Sequence, residues 1–345
     1  MSKVNVLIAG STGYIGIQLI KLLINHRKVK IKYLCGNSSV GKKINYFDKN
    51  IKVKYLPKII KYHKKLLNDV DVIFTALPNG EAQKISNHLL KKNILIDLSA
   101  DFRLKNYKDY KKWYKIKHSS IKNIKNSIYA LPEVNRDDIK NYKIISCPGC
   151  YPTSVLIPLI PLIKKNLIKK NNIIIDSKSG YSGAGRSIHK KHKYKNLYES
   201  LSAYGVGFHR HNSEIEQMIK NYTKNKFKFT FTPHLSPMFR GILTTIYVDL
   251  ARGKTINNLF NELKKFYKKE KFVKIAKLNS SVSTNDVINT NNCKISICKS
   301  KYKDKAIILS SIDNLIKGGA GQAIQNMNIL KNFDINEGLR WIDIY

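Results

Sequence analysis

Two cysteines, Cys147 and Cys150, flank a Pro-Gly dipeptide in the stretch ISCPGCYPTSVLIPL. Such a pair could bind zinc, exchange a disulfide, or supply one nucleophilic thiol. A structural zinc site needs a second such pair, and Cys293 and Cys298 have a different spacing in a strand-like segment. A redox pair would normally open a helix in a much smaller fold. We therefore predict a single nucleophile and no metal site.

Cys150 is the better candidate of the two. It follows Pro-Gly at the end of a predicted strand, and a helix is expected to begin near Tyr151 and Pro152. A thiol at a helix N-terminus has its thiolate stabilised by the helix dipole. Cys147 would belong to the strand, so we expect it to be a small buried residue.

A thiolate nucleophile needs an acid/base partner. The segment GFHRHNSEIEQ supplies His209 and His211 directly before a predicted helix, whose N-cap would be Asn212 or Ser213. The spacing in sequence cannot show whether either ring reaches Cys150. It also leaves open which of the two histidines is catalytic.

A glycine-rich loop, GSTGYIG, lies between the first predicted strand and the first predicted helix. This context is typical of dinucleotide binding, because glycine permits a tight turn and the helix N-terminus attracts phosphate. An ordinary structural turn is the alternative. The predicted cofactor contacts here are Gly10, Ser11, Thr12, Gly13, Tyr14, Ile15 and Gly16.

The end of the second predicted strand, YLCGNSSVGKK, indicates which dinucleotide binds. NAD-binding chains usually place a carboxylate there for the ribose hydroxyls, whereas this chain has no Asp or Glu before Asp48. Ser38 and Ser39, with the lysines that follow, could instead contact a 2′-phosphate. The sequence therefore favours NADP.

The arrangement of predicted elements gives the fold class. Strands and helices alternate over residues 1–149, which predicts an α/β, doubly wound Rossmann domain. Residues 150–315 are richer in strands and predict an α+β catalytic domain with a mixed or antiparallel sheet. Residues 316–345 contain a final helix, interrupted by small residues near its start. The Lys/Asn-rich stretches 104–126 and 219–227 are expected to be surface segments.

The net charge of +40 invites a nucleic-acid interpretation. However, 55 of the 63 basic residues are lysines spread along the whole chain, and arginine would dominate a dedicated nucleic-acid surface. We therefore predict no specific nucleic-acid partner. No apolar run approaches the roughly 20 residues of a membrane span. The five cysteines do not suggest a disulfide framework, and we expect a cytoplasmic protein without a membrane partner.

Taken together, eight motifs in chain order resemble the N-acetyl-gamma-glutamyl-phosphate reductase family, whose members are NADP-dependent enzymes of arginine biosynthesis. They are GSTGYIG, DLSADFR, YALPEVNR, CPGCYPTS, SKSGYSGAGR, FHRHNSEIEQ, HLSPMFRGIL and IDNLIKGGAGQAIQNMN. The resemblance covers essentially the whole chain. Ser154 stands where the family usually has a small apolar residue. Aspartate-semialdehyde and glyceraldehyde-phosphate dehydrogenases share the architecture and the thiol chemistry but lack this set of motifs.

The resemblance implies reduction of N-acetylglutamyl phosphate through a thioester on Cys150. It implies further cofactor contacts at Pro78, Ser182, Gly183 and Asn314. It also implies a homo-oligomer, dimer or tetramer, assembled through the second domain, with the C-terminal helix returning to the first.

Arginine forks suit the anionic groups of this substrate, and arginine is scarce in the chain, with 8 residues. The candidates are Arg103, Arg186 and Arg240. A related acyl-phosphate reductase, of the aspartate-semialdehyde or N-acetyl-aminoadipyl type, is the alternative enzyme. A basic nucleic-acid-binding protein that no longer catalyses is the alternative of another class.

Overall fold

The computed structural model describes residues 3–53, 55–186, 194–223 and 227–339. The chain forms two compact units. The first contains Met1–Pro148 together with Gly319–Tyr345, and the second contains Gly149–Gly318. The functions assigned above to the domains stay predictions.

The first unit is built on a seven-stranded sheet whose strands all run parallel. The strands are β1 (Val4–Ala9), β2 (Val29–Cys35), β3 (Ile59–Ile60), β4 (Val72–Thr75), β5 (Ile94–Asp97), β6 (Ser127–Tyr129) and β7 (Ile144–Ser146). Their order across the sheet is β3-β2-β1-β4-β5-β7-β6. The central strands are buried almost throughout, because a parallel sheet is covered on both faces. The predicted Rossmann architecture is confirmed.

The helices of the first unit that precede β7 are α1 (Tyr14–Leu23), α2 (Glu81–Ser86), α3 (Tyr107–Tyr114), α4 (Ile121–Ile124) and α5 (Pro132–Ile139). Two of them correct the sequence analysis. Residues 104–126 were expected to be surface, yet α3 and α4 lie there and Tyr110 is fully buried. Tyr110 stacks on Tyr114 with 4.8 Å between ring centroids. The lysine-rich segment therefore contains an aromatic pair at the i, i+4 spacing of a helix.

The second unit contains a mixed seven-stranded sheet. Its strands are β8 (Ile173–Gly180), β9 (Ser202–Ala203), β10 (Phe229–Ser236), β11 (Ile242–Asp249), β12 (Val273–Ile275), β13 (Cys293–Lys299) and β14 (Lys305–Ile312). Their order is β12-β13-β14-β11-β8-β10-β9. The pairs β8–β10 and β12–β13 are parallel and the others antiparallel. The predicted mixed sheet is confirmed.

Four helices belong to the second unit among the residues described: α6 (Cys150–Lys164), α7 (Tyr194–Glu199), α8 (His211–Lys220) and α9 (Ile256–Phe266). Helix α6 is buried from Tyr151 to Ile163 although it contains Pro158 and Pro161. Pro161 has no N–H, so it leaves the carbonyl of Ile157 without its helical donor. The hydroxyl of Tyr267 donates to this carbonyl at 2.6 Å.

The chain then passes through a π-helical turn, Ile316–Ala320, into α10 (Gly321–Leu330). This confirms the predicted interrupted helix. Within the first unit, α10 contacts α1, α5 and β5. His26 fixes the following segment, because its Nε2 lies 2.9 Å from Asn328 Oδ1 and its ring contacts Phe333. In the described parts of the chain, no helix is both long and apolar enough to cross a membrane.

Candidate active site

Cys150 is the first residue of α6, one residue earlier than predicted, and its thiol forms no disulfide and is partly exposed. The N-cap, Gly149, offers no side-chain cap, and its N–H donates to Glu214 Oε2 at 2.9 Å. The N-terminus of a helix carries the positive end of the helix dipole, which favours a thiolate there. Cys147 is 1% exposed at the end of β7, and burial raises its pKa to about 12. The structure thus distinguishes one accessible thiol from one buried thiol.

Both candidate histidines contact the ring of Tyr151, the residue after Cys150. The ring centroids lie 5.7 Å away for His209 and 5.8 Å away for His211. The two histidine rings are 4.6 Å apart. Helix α8 begins at His211 with Arg210 as N-cap, so the predicted caps Asn212 and Ser213 were wrong. The Ser213 hydroxyl lies inside the first turn and donates to the Arg210 carbonyl at 2.7 Å.

The two histidines differ in their electrostatic environment. Burial, and then the charge of Arg210, lowers the pKa of His209 to about 4. His209 Nδ1 also accepts the N–H of His211 at 3.2 Å. His211 Nε2 instead lies 3.7 Å from Glu214 Oε1.

Glu214 is a site residue that the sequence analysis missed. Its carboxylate is fully buried, with one oxygen on the N–H of Gly149 and the other facing His211. It therefore joins the base candidate to the N-cap of the nucleophile's helix. The available signal was its position three residues after His211 in a predicted helix, which places the two side chains on one face.

Arg240 follows β10 in the second unit. Its Nε lies 3.0 Å from Asp313 Oδ2, and its Nη1 donates to Asn289 Oδ1. Its Nη2 is buried without a hydrogen-bond partner among the described residues. Burial lowers the pKa of Arg240, with the Asp313 charge opposing that change. A desolvated guanidinium with one unused donor is suited to binding a further anion.

Three of the predicted cofactor contacts meet in the second unit. Asn314 Nδ2 donates to Ser182 Oγ at 3.0 Å, and Asn314 Oδ1 accepts the N–H of Gly241 at 2.7 Å. A Cβ added to Gly183 would lie 3.6 Å from Asn314 Nδ2. Arg186 lies in the exposed turn beyond them.

The glycine loop lies between β1 and α1 in the first unit. Gly10 has φ +86°, and a Cβ there would lie 2.2 Å from the carbonyl oxygen of Ala76. A Cβ on Gly16 would lie 2.2 Å from Gly10 O, so both positions need glycine for space. Gly13 caps α1 without a side chain, and the first turn has no acidic residue. The first N–H groups of α1 thus suit a phosphate.

The residues that follow β2 also fit a phosphorylated ribose. Ser39 is 2% exposed, and its Oγ has no hydrogen-bond partner among the described residues. Ser38 beside it is exposed. Asp48, the first carboxylate of the chain, forms an ion pair with Lys21 at 2.7 Å. Pro78 is exposed in the loop between β4 and α2, two residues after the Ala76 carbonyl that packs under Gly10.

Arg103 has a different environment from Arg240. Its Nε donates to the carbonyl of Cys147 at 2.8 Å and its Nη2 to that of Leu98 at 3.4 Å. These bonds connect the carboxyl ends of β5 and β7 within the first unit. A substrate role for Arg103 stays a prediction.

In the described ranges, no group of three or more His, Cys, Asp or Glu side chains is arranged to hold a metal ion.

Comparison with known proteins shows the family of the chain. The family model "Semialdehyde dehydrogenase, NAD binding domain" matches residues 5–142, and "Semialdehyde dehydrogenase, dimerisation domain" matches residues 150–314. An N-acetyl-gamma-glutamyl-phosphate reductase from Thermoanaerobacter pseudethanolicus is 42% identical over 345 residues, which cover 99% of each chain. The chain belongs to the N-acetyl-gamma-glutamyl-phosphate reductase family.

Other members of the N-acetyl-gamma-glutamyl-phosphate reductase family are similarly close. The protein of that name from Clostridium botulinum (strain Eklund 17B) is 43% identical over 99% of each chain. A probable chloroplastic one from Arabidopsis thaliana is 39% identical, covering 96% of this chain and 82% of its own.

Two solved structures share the fold at low identity. Aspartate semialdehyde dehydrogenase with NADP from Candida albicans has a TM-score of 0.70 and 18% identity, covering 97% of this chain and 100% of that one. Aspartate semialdehyde dehydrogenase II complexed with ASA from Vibrio cholerae has a TM-score of 0.70 and 16% identity, covering 96% and 99%.

Proposed function

We propose that the chain catalyses NADPH-dependent reduction of N-acetyl-L-glutamyl 5-phosphate to N-acetyl-L-glutamate 5-semialdehyde, a step of arginine biosynthesis. Family membership supplies the substrate. The observation that carries the chemistry is Cys150, a partly exposed thiol on the first residue of a 15-residue helix. The histidine pair beside Tyr151 supplies the acid/base group that this chemistry requires.

The residues that would hold the cofactor fall into three groups along the chain. The loop Gly10–Gly16 and the N-terminus of α1 would bind the pyrophosphate. The orphaned hydroxyl of Ser39 would donate to the 2′-phosphate, with Ser38 beside it. Pro78, Ser182, Gly183 and Asn314 would line the nicotinamide side. When bound, NADPH supplies the hydride.

Cys150 carries the acyl group. Its thiolate attacks the acyl carbon, the bond from that carbon to the phosphate oxygen breaks, and inorganic phosphate leaves with the electron pair. The resulting thioester accepts a hydride more readily than a carboxylate does and stays fixed between the two chemical steps. After reduction, the carbon–sulfur bond breaks, which releases the aldehyde and restores the thiolate.

His211 is the acid/base group in this proposal. Its Nε2 lies 3.7 Å from the buried Glu214 carboxylate, and as a proton donor it would stabilise the oxygen charge that develops during attack and reduction. His209, whose pKa burial lowers to about 4, stays neutral near pH 7. His209 would then orient the substrate or the His211 ring.

Arg240 is the arginine that we assign to the substrate, because its unused Nη2 can donate to a carboxylate or phosphate oxygen. Arg186 and Arg103 are secondary candidates, the latter with main-chain carbonyls already bound.

We also propose a homo-oligomer, dimer or tetramer, assembled through the region that matches the dimerisation-domain model. None of the five cysteines forms a disulfide, which is consistent with a reducing, cytoplasmic location.

The deciding experiment runs the reaction backwards. NADP reduction should require both inorganic phosphate and N-acetylglutamate semialdehyde, with aspartate semialdehyde as the parallel substrate and NAD as the parallel cofactor. Faster turnover of aspartate semialdehyde would replace the proposed substrate by that of a related acyl-phosphate reductase. A preference for NAD would contradict the role given to Ser38 and Ser39.

A further inference from the structure

We propose that Gly318, in the π-helical turn, is a positioning residue for the Cys150 thiol. A Cβ built on Gly318 would lie 2.6 Å from Cys150 Cβ and 3.1 Å from Cys150 Cα. Real Cβ atoms essentially never approach that closely. The bare backbone of Gly318 therefore forms one wall against which the nucleophile rests. The inference builds on the proposed role of Cys150 and adds a residue to it.

The glycine is needed for space and not for backbone conformation. Gly10 and Gly241, for example, have φ +86° and +104°, whereas Gly318 lies outside the left-handed region. An alanine could adopt this backbone without local strain. The cost of a side chain at Gly318 would therefore arise from its contact with Cys150, with a looser contact at Ile312 Cδ1, 3.3 Å away.

The turn that carries Gly318 is anchored and cannot easily retreat. The N–H of Gly318 donates to the Asp313 carbonyl at 2.9 Å, which is the five-residue hydrogen bond of a π-helix. The Asp313 carboxylate is fully buried and accepts from the N–H groups of Leu315 at 2.8 Å and Ile316 at 3.1 Å.

The same carboxylate accepts the N–H of Asn289 at 2.7 Å and pairs with Arg240 Nε at 3.0 Å. Displacing the turn would disrupt a buried ion pair, which is costly.

Cys150 is constrained on its other side as well. Its helix is buried from Tyr151 onward, and the N–H of Gly149 is bound to Glu214. Cys150 therefore lies between two fixed backbone segments. The position of Gly318 limits how closely the Cys150 Cβ can approach the π-helical turn. Since a misplacement of about 1 Å at the reacting atoms can cost about 100-fold in rate, this contact matters for catalysis.

The first test compares Gly318→Ala with Ile316→Val in the full chain. Ile316→Val trims the same turn without adding an atom near Cys150, so it controls for a loosened turn. We expect Gly318→Ala to lower kcat about 100-fold while KM and NADP binding change little. We expect Ile316→Val to lose some thermal stability and to keep kcat.

The second measurement determines the reactivity of the Cys150 thiol directly. The rate at which iodoacetamide modifies the Cys150 peptide, followed by mass spectrometry from pH 5 to pH 9, should fall at least about tenfold in Gly318→Ala. Ile316→Val should match the wild type. Equal alkylation profiles in wild type and Gly318→Ala, with equal kcat, would overturn the proposal. A wild-type Cys150 that does not react would instead contradict the proposed function itself.

A double variant keeps the proposal testable if Gly318→Ala folds poorly. Cys150→Gly removes the Cβ that the new methyl group would strike. It should therefore raise the Tm of Gly318→Ala by more than it changes the Tm of the wild type. Additive effects on Tm, or a double variant that stays unfolded, would show that the methyl group meets something other than Cys150.

Discussion

At the scale of single residues, the site contains two pairs of side chains, each pair of one residue type in two different surroundings. Cys147 and Cys150 are three positions apart, yet Cys147 is buried just after β7 and Cys150 begins α6. His209 and His211 are two positions apart, yet it is the Nε2 of His211 that lies 3.7 Å from the Glu214 carboxylate. Local environment, more than residue type, assigns the chemistry.

We expect Cys150→Ser to abolish reduction while NADP still binds, because a hydroxyl is a far weaker nucleophile than a thiolate. Cys147→Ser should keep most activity, since that thiol is buried with a pKa of about 12. Steady-state assays and NADP titration measure both effects. Equal loss of activity in the two variants would refute the single-nucleophile assignment.

Glu214→Gln removes the charge beside His211 but keeps an oxygen for the N–H of Gly149. We expect kcat/KM to fall about 10- to 100-fold, which is part of the roughly 100- to 10,000-fold that a general acid–base group contributes. Glu216→Gln, exposed on the same helix, is the matched control and should behave like the wild type. Similar kinetics for the two variants would exclude Glu214 from the mechanism.

Arg240→Lys keeps the charge but loses the fork that reaches Asp313 and Asn289 and leaves Nη2 for the substrate. We expect a loss of about 1.5–3 kcal/mol in transition-state binding, which is roughly 10- to 150-fold in kcat/KM. Arg252→Lys, in an exposed turn, should change kcat/KM very little. A normal kcat/KM for Arg240→Lys would move the substrate site elsewhere.

At the scale of elements, sequence reasoning succeeded where the signal was local. The β1–loop–α1 unit, the helix beginning at Cys150 and the break before α10 all have short-range glycine, proline or apolar signals. It failed where neighbours are distant in sequence. The contact of Gly318 with Cys150 spans most of the second unit, and no local pattern reports it. The short edge strand β6 was missed because three residues carry too little periodicity.

Helix α6 offers a prediction about how prolines are tolerated. Tyr267→Phe removes the hydroxyl that satisfies the Ile157 carbonyl left open by Pro161. The unfolding free energy should fall by about 1–3 kcal/mol, the cost of an unsatisfied buried carbonyl. Pro161→Ala restores a helical N–H for that carbonyl, so in its presence Tyr267→Phe should cost less. Denaturant unfolding of the four proteins gives the coupling, and additive costs would contradict this account.

At the scale of the whole molecule, His26 links acidity to stability. Its ring donates to Asn328 and accepts the N–H of Lys28 at Nδ1, so it is neutral when folded, and burial lowers its pKa below 6.5. Its contribution to the free energy of unfolding is fully present above pH 6.5. This contribution is lost as the pH falls toward the pKa of His26 in the folded state, because the unfolded chain binds the proton first.

The comparison of wild type with His26→Gln isolates the contribution of His26 to the free energy of unfolding. The difference in unfolding free energy between the two proteins should shrink as the pH falls from 7.5 to 5.5, by at most about 1.4 kcal/mol per pH unit. His88→Gln, at an exposed position, should show no such change. Buried Asp97, whose pKa burial and the Asp101 charge raise to about 6, has the opposite slope but cancels in the difference. A constant gap for His26→Gln would show that His26 is not titrating.

The discontinuity of the first unit has a consequence for biosynthesis. As the chain leaves the ribosome, residues 149–318 are complete and free to fold while residues 1–148 still lack the segment that begins at Gly319. Until α10 is translated, the surfaces of α1, α5 and β5 that it covers are exposed, and the Nε2 of His26 lacks its contact with Asn328. Nascent chains stalled before residue 319 should therefore contain a protease-resistant nucleophile unit attached to a protease-sensitive glycine-loop unit.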